Sequence, residues 1–112
     1  MRLEKTLGVT CAAALILTSV PAVASPAPQV EIRVFQFRPG RLAIKAGTKV
    51  AWTNQDNITH TVTSGTPDAR NGHFGQRLEG KGATATVEFS EPGVYAYFCE
   101  RHPSMRGEIR VH

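Results

Sequence analysis

The clearest structural pattern in the chain lies in residues 92–105, PGVYAYFCERHPSM. The proline and glycine that open this stretch predict a turn, and the alternation over residues 94–99 predicts a strand. Tyr95 and Tyr97 share the parity of Cys99, so we expect all three side chains to face the core, where the two hydroxyls need hydrogen-bond partners. The loop that follows adds an imidazole and a thioether. Such a stretch is typical of a buried strand that leads into a metal-binding loop.

The same two-residue period recurs on both sides of this stretch, and no segment has sustained helical periodicity. Val30, Ile32 and Val34 share one face, and Trp52 lies on the apolar face of a later strand, so we expect Trp52 in the core. Seven or so short strands with turns between them predict an all-β sandwich or barrel. We expect the glycine-rich residues 65–83 to be an irregular connection with at most a helical turn. The candidate strands are residues 30–34, 41–45, 49–53, 59–64, 84–89, 94–99 and 109–111.

Residues 1–24 have the pattern of a secretory signal peptide. Basic residues open the segment, an apolar stretch follows over residues 7–20, and Ala22-Val23-Ala24 offers the small residues that a signal peptidase accepts before Ser25. A membrane anchor is the alternative, but this apolar stretch is shorter than the ~20 residues that span a bilayer. We interpret Cys11 as part of the signal rather than as a lipidation site, because the apolar stretch continues past it.

This interpretation leaves residues 25–112 as one small domain, periplasmic or otherwise exported, without stable membrane insertion. A chain of 112 residues excludes large multidomain enzymes and dinucleotide-binding folds. Thirteen Lys and Arg against nine Asp and Glu give a net charge of +4, but the basic residues are scattered. That distribution is not the footprint of a nucleic-acid-binding protein. We also expect the protein to be a monomer.

Cys99, His102 and Met105 lie within seven residues, where a turn can direct all three side chains to one point. Thiolate and thioether are soft donors and imidazole is borderline, a set that suits copper in both of its oxidation states. Cys99 is the only cysteine of the predicted exported domain. A single thiol in an oxidising compartment is a liability unless something occupies it.

A second histidine would complete the electron-transfer type of copper site, in which two His and one Cys lie in a plane with a distant axial Met. His60 shares the parity of Val62 and should point inward. A lone inward histidine is more often a core residue than a ligand, but its coincidence with the Cys-x-x-His-x-x-Met loop favours a ligand. We expect His73 to lie on the surface and His112 to lie at a frayed terminus.

Two stretches resemble the plastocyanin-type cupredoxins. Residues 46–54, AGTKVAWTN, followed by His60, are similar to the first half of such a protein, and residues 89–99 with their histidine and methionine loop are similar to the second half. The two-residue gap between His102 and Met105 matches amicyanins, whereas plastocyanins and pseudoazurins have a longer gap. The resemblance implies a Greek-key β-sandwich of about seven to eight strands. It also implies one type 1 copper bound by His60, Cys99, His102 and Met105.

The resemblance further implies a mobile carrier of single electrons, with His102 as the solvent-facing ligand. Four protein donors leave no open position for a substrate, so we expect no enzyme activity. Arg101 and Arg106 flank His102, which predicts redox partners with acidic docking surfaces. Two alternatives are a copper chaperone or storage protein, and an enzyme that uses Cys99 as its nucleophile.

Two residues depart from the family pattern. Thr61 stands where an asparagine commonly ties the two ligand loops together, and its hydroxyl could do the same with a shorter reach. Arg101 stands where a proline is frequent, and it adds positive charge beside His102.

Overall fold

The computed structural model describes residue 8, residues 12–17, residue 19 and residues 27–112. The predicted signal peptide and its cleavage site fall mainly on residues outside this part of the chain, as does Cys11. Among the described residues, no helix has the length and apolar character needed to cross a membrane.

In the described part of the chain, nine strands form two sheets that pack face to face around the core. The four-stranded sheet has the order β2-β1-β4-β7, and the five-stranded sheet has the order β3-β9-β8-β5-β6. The pairs β1–β4 and β3–β9 are parallel, and all other pairs are antiparallel. The prediction of an all-β Greek-key β-sandwich is confirmed, with one strand more than expected. The strands are β1 (Gln29–Ile32), β2 (Phe37–Arg38), β3 (Arg41–Ile44), β4 (Thr48–Asn54), β5 (His60–Thr66), β6 (Ala69–Leu78), β7 (Thr84–Phe89), β8 (Gly93–Phe98) and β9 (Arg106–Val111).

Trp52 lies at the centre of the core, as predicted, and is fully buried. Its ring meets Tyr97 edge to face at a centroid distance of 5.4 Å. The Tyr97 hydroxyl is buried without a hydrogen-bond partner among the described residues, and burial raises the pKa of Tyr97 to about 12. Tyr95 is only partly buried, and its hydroxyl donates to the Glu91 carbonyl at 2.8 Å. We expected a hydrogen-bond partner for both tyrosine hydroxyls, but among the described residues only that of Tyr95 has one.

The expectation of an irregular segment over residues 65–83 is wrong, because β6 occupies most of it. This strand pairs with β5 along the edge of the larger sheet, and the register shifts between Thr63 and Gly65. At the shift, the Ser64 hydroxyl donates to the Phe74 carbonyl and accepts from the Phe74 N–H, both at 2.9 Å. Only Leu78 in β6 is buried, so the strand has no apolar alternation from which it could be predicted.

Two further expectations are corrected at the ends of strands. Val34 does not continue the buried face of β1, because the strand ends at Ile32 and Val34 is 65% exposed with a positive φ of 51°. His112 is not frayed at its backbone. Its N–H donates to the Ile44 carbonyl at 3.0 Å, and its carbonyl accepts from the Ala46 N–H at 2.8 Å.

Gly107 faces Tyr97 across the β8–β9 pair, and a Cβ atom at this position would overlap the buried tyrosine ring. We therefore expect Gly107→Ala to destabilise the metal-free protein by about 1–3 kcal/mol, the usual cost of overpacking a core. Gly75→Ala is the matched control, since a Cβ atom there meets nothing within 4 Å. Chemical denaturation measures both variants, and equal stability of the two would contradict the packing argument.

Candidate metal centre

Three predicted ligands meet at one end of the sandwich. His60 begins β5, Cys99 directly follows β8, and His102 lies in the loop before β9. The Sγ atom of Cys99 is 3.7 Å from Nδ1 of His60 and 3.6 Å from Nδ1 of His102. The three ligand atoms lie within 4.8 Å of one another. Together with Met105 they are placed to bind one metal ion.

The loop from Cys99 to Met105 is closed by its own backbone. The His102 N–H donates to the Cys99 carbonyl at 3.2 Å, and the Met105 N–H donates to the His102 carbonyl at 2.8 Å. The Cys99 N–H in turn donates to the Met105 carbonyl at 3.1 Å. Because these bonds fold the loop back on itself, the backbone of Met105 returns to the cysteine that begins the loop.

The four side chains differ in their access to solvent. His60 and Cys99 are fully buried and Met105 is 3% exposed, whereas His102 is partly exposed. His102 is thus the side chain of the four that faces the surface, as the sequence predicts. His73 is exposed and is not part of the cluster, in agreement with its expected surface position.

The donor set fits copper. It consists of one thiol, two imidazoles and one thioether, and its three clustered members include no carboxylate. Soft sulfur donors suit Cu(I), and imidazole with thiolate suits Cu(II), so one set of side chains serves both oxidation states.

Asp56 orients the His60 imidazole through Nε2, the ring nitrogen that does not face Cys99. Its Oδ2 atom lies 2.8 Å from Nε2 of His60, and a carboxylate has no proton to donate, so Nε2 carries the hydrogen. The lone pair of Nδ1 is then free to face Cys99 and a metal ion. The carboxylate also accepts the N–H groups of Val34 at 2.8 Å and Phe35 at 3.1 Å. Asp56 is itself positioned by its N–H, which donates to Oδ1 of the buried Asn54 at 2.9 Å.

The surroundings lower the pKa of both Asp56 and His102. Burial raises the pKa of Asp56, but the hydrogen bonds from Phe35 and Val34 and the His60 imidazole outweigh this effect, so its pKa lies below the ordinary value. Burial lowers the pKa of His102, and the positive charges of Arg101 and of His60, when that imidazole is protonated, lower it further against a smaller opposing effect of Asp56. A neutral His102 has a lone pair available for a metal ion.

Thr61 ties the two ligand loops together. Its Oγ1 atom accepts the Glu100 N–H at 2.8 Å, and its N–H donates to the Cys99 Sγ atom at 3.4 Å. Oγ1 also lies 3.0 Å from Oγ1 of Thr63, whose hydroxyl donates to the Glu100 carboxylate at 3.2 Å. The threonine therefore makes the link that the resemblance assigns to an asparagine.

Two residues at the site were not predicted from the sequence. Asp56 lies in a polar loop four residues before His60, and nothing in the local pattern indicates its contact with residues 34 and 35. Phe35 was not singled out, yet its ring meets His60 and His102 edge to face at centroid distances of 5.6 and 4.9 Å. An aromatic residue directly after an expected strand is a weak signal of a functional role, because aromatic residues are enriched in strands in general.

The comparisons with known proteins identify the class. Residues 25–112 match the family described as copper binding proteins, plastocyanin/azurin family. Amicyanin-alpha of Methylorubrum extorquens is 35% identical over 101 residues, which cover 88% of this chain and 83% of the relative. Plastocyanin of Scenedesmus fuscus is 30% identical over 83 residues, which cover 67% of this chain and 85% of the relative.

The solved structures agree with this class. A purple cupredoxin from Nitrosopumilus maritimus superposes with a TM-score of 0.70 at 29% identity and covers 76% of this chain and 99% of its own. Amicyanin from Paracoccus versutus superposes with a TM-score of 0.67 at 30% identity and covers 84% of this chain and 86% of its own. The chain belongs to the plastocyanin/azurin family of copper-binding proteins. The predictions of a copper cofactor and of a protein that is not an enzyme are confirmed.

We expect Asp56→Asn to weaken both the fold and the site, because an amide nitrogen would replace an oxygen that accepts a hydrogen bond. Metal-free protein should lose about 1–3 kcal/mol of stability, and copper affinity should fall about 10–100-fold. Since the pKa of Asp56 is lowered in the folded protein, its stabilising effect is complete above the ordinary value of 3.8. The effect is lost as the pH falls through the lowered value.

Denaturation at several pH values and copper competition titrations measure these effects. Asp68→Asn removes the same charge from an exposed position and is the matched control. If the two variants behave alike, Asp56 does not support the site.

Proposed function

We propose that this protein is an exported type 1 copper protein that passes single electrons between redox partners, with His60, Cys99, His102 and Met105 as its copper ligands. The observation that carries the proposal is the cluster of three ligand atoms within 4.8 Å, two of them on fully buried residues. Bound copper would supply the one-electron couple. The residues of the chain hold its donors in place.

A carrier needs donors that move little when the oxidation state changes. His60 begins β5 and Cys99 directly follows the neighbouring β8, and Thr61 joins the two segments. The loop of His102 is closed by three backbone hydrogen bonds. Four donors from the protein also leave no position for a substrate, which supports outer-sphere electron transfer.

Copper delivery is the competing function, and the geometry does not favour it. A delivery protein benefits from exposed donors that exchange metal with a partner. Here Cys99 and Met105 are buried, and His60 is held from behind by Asp56. Slow copper release together with a reversible redox couple supports the carrier, whereas rapid transfer of copper to an apo acceptor would support delivery.

The proposed ligand set predicts a visible spectrum. The protein loaded with Cu(II) should have an intense thiolate-to-copper charge-transfer band, which Cys99→Ser should abolish. Met105→Leu should keep the band and raise the reduction potential, because a weak donor to Cu(II) is lost. Since metal binds the folded state, metal-free protein should also melt at a lower temperature. An intense band that persists in Cys99→Ser would show that the ligand assignment is wrong.

We also propose that the partners carry acidic groups around their docking surfaces. Arg101 and Arg106 are exposed on either side of the loop that contains His102, and Pro103 is exposed between them. Positive charge around an apolar contact favours fast and short-lived association with an acidic partner.

This docking proposal can be tested with small ionic oxidants. Arg101→Glu should slow oxidation of the reduced protein by anionic hexacyanoferrate(III) several-fold at low salt. The difference in rate between this variant and the wild type should shrink as the salt concentration rises, because charges are screened over ~8 Å at physiological ionic strength. Lys45→Glu makes the same charge change at the opposite end of β3 and β9, and it should have a much smaller effect. Equal effects of the two variants would exclude local steering at the His102 end.

Export rests on the pattern of residues 1–24. We propose cleavage after Ala24, which gives a mature protein that begins at Ser25. Mass spectrometry of the protein recovered outside the cytoplasm measures this directly. An intact Met1 or a lipid on Cys11 would contradict the proposal.

A further inference from the structure

A two-residue turn beside the metal centre has an unusual sequence. The Arg33 N–H donates to the Gln36 carbonyl at 3.0 Å, and the Gln36 N–H donates to the Arg33 carbonyl at 3.2 Å, so Val34 and Phe35 are the central residues between β1 and β2. Their φ angles are 51° and 58°. Hairpin turns with both central residues in the left-handed region strongly favour Asn-Gly. A β-branched valine in that region is strained, and such strain is often found at functional sites.

Asp56 connects this turn to His60, one of the proposed copper ligands. The two successive N–H groups of Val34 and Phe35 point to its two carboxylate oxygens at 2.8 and 3.1 Å, and successive N–H groups of this kind form an anion-binding concavity. The oxygen that accepts from Phe35 also accepts from Nε2 of His60 at 2.8 Å. The conformation of the turn is therefore linked directly to the orientation of His60.

The strained turn does not serve the hydrophobic core. Val34 is 65% exposed and Phe35 is 50% exposed, whereas the core begins at Ile32 on one side and Phe37 on the other. The contacts of Phe35 are with the imidazoles of His60 and His102, which its ring meets at interplanar angles of 88° and 86°. An Asn-Gly turn would connect the same strands with less strain, but it would remove this ring.

We propose that Phe35 is a positioning residue for electron transfer, and that the strained turn holds the Phe35 ring against both imidazoles. The inference rests on the proposed function of an electron carrier. A ring that contacts both His60 and His102 restricts their rotation, so the donors keep one arrangement in the oxidised and the reduced protein. Restricted motion of the donor side chains lowers the reorganisation energy of each electron transfer.

Electron self-exchange tests the proposal without a physiological partner. In this reaction an electron passes from a reduced copy to an oxidised copy, so that the first is oxidised, the second is reduced and no proton moves. NMR line broadening in mixtures of the two forms gives the rate constant. Phe35→Gly should slow self-exchange about tenfold or more, because small misplacements of reacting groups have effects of this size. Val34→Asn keeps the ring and should remain within about twofold of the wild type.

Stability of the metal-free protein separates a functional role from a structural one. Val34→Asn should raise the melting temperature by about 4–8 °C, because the strained valine is replaced by a residue that tolerates positive φ. Phe35→Gly should melt no lower than the wild type, since glycine removes strain at the second position. A Phe35→Gly protein that melts far below the wild type would show that the turn serves the fold, and it would overturn the proposal.

Phe35→Leu separates positioning from simple surface contact between copies. Leucine keeps an apolar side chain at the surface but has no ring to meet the imidazoles, so this variant should be as slow as Phe35→Gly. Self-exchange at the wild-type rate in Phe35→Leu would overturn the proposal. Nuclear Overhauser effects from the Phe35 ring to both imidazoles should be present in the metal-free wild type, and their absence would overturn it as well.

The test of the carrier function is distinct from the test of the role proposed for Phe35. If the copper-loaded wild type has no charge-transfer band and no reversible couple, the carrier function is wrong. In that case the self-exchange test has no reaction to measure, and the role proposed for Phe35 is overturned with it. A normal band and couple with unchanged self-exchange in Phe35→Gly would overturn the role of Phe35 alone.

Discussion

The register between β5 and β8 determines whether this protein has a metal centre at all. Thr63 pairs with Phe98 and Ser64 pairs with Tyr97, and this short ladder brings His60 and Cys99 together although 39 residues separate them. A slip of one residue would turn Cys99 to the opposite face of the sheet. Thr61 extends the ladder beyond the last paired residues, because its hydroxyl and its N–H bind Glu100 and the cysteine sulfur.

The hydrogen bonds around the site are made between groups of the polypeptide itself. Asp56 fixes the imidazole of His60, and backbone groups close the loop that contains His102. Metal domains that fold only when their ion binds lack such a framework. In this family member the sandwich and its loops define the positions of the donors.

The sequence predicted what depends on local alternation and donor chemistry. The parity of His60 and Cys99, the burial of Trp52 and the closed Cys-to-Met loop are all visible in short stretches, and the structure has them. Features that depend on contacts between distant segments were missed. β6 forms by backbone pairing with almost no buried side chains, and Asp56 contacts Val34 and Phe35, which lie more than 20 positions away. Likewise, the apolar residues of β1 do not indicate that Val34 turns outward. The turn at Val34 is bound by the carboxylate of Asp56, which is distant in the sequence.

The exposed strand β6 also affects how copies of the protein behave at high concentration. It lies at the edge of the five-stranded sheet, where unpaired backbone groups could bind another strand and begin aggregation. Its exposed residues include Arg70, Asn71 and Arg77, and the irregular pairing beside Gly65 interrupts the regular edge. Charge and irregularity at a sheet edge oppose intermolecular strand pairing. Both features therefore oppose the formation of fibrils by copies of this protein.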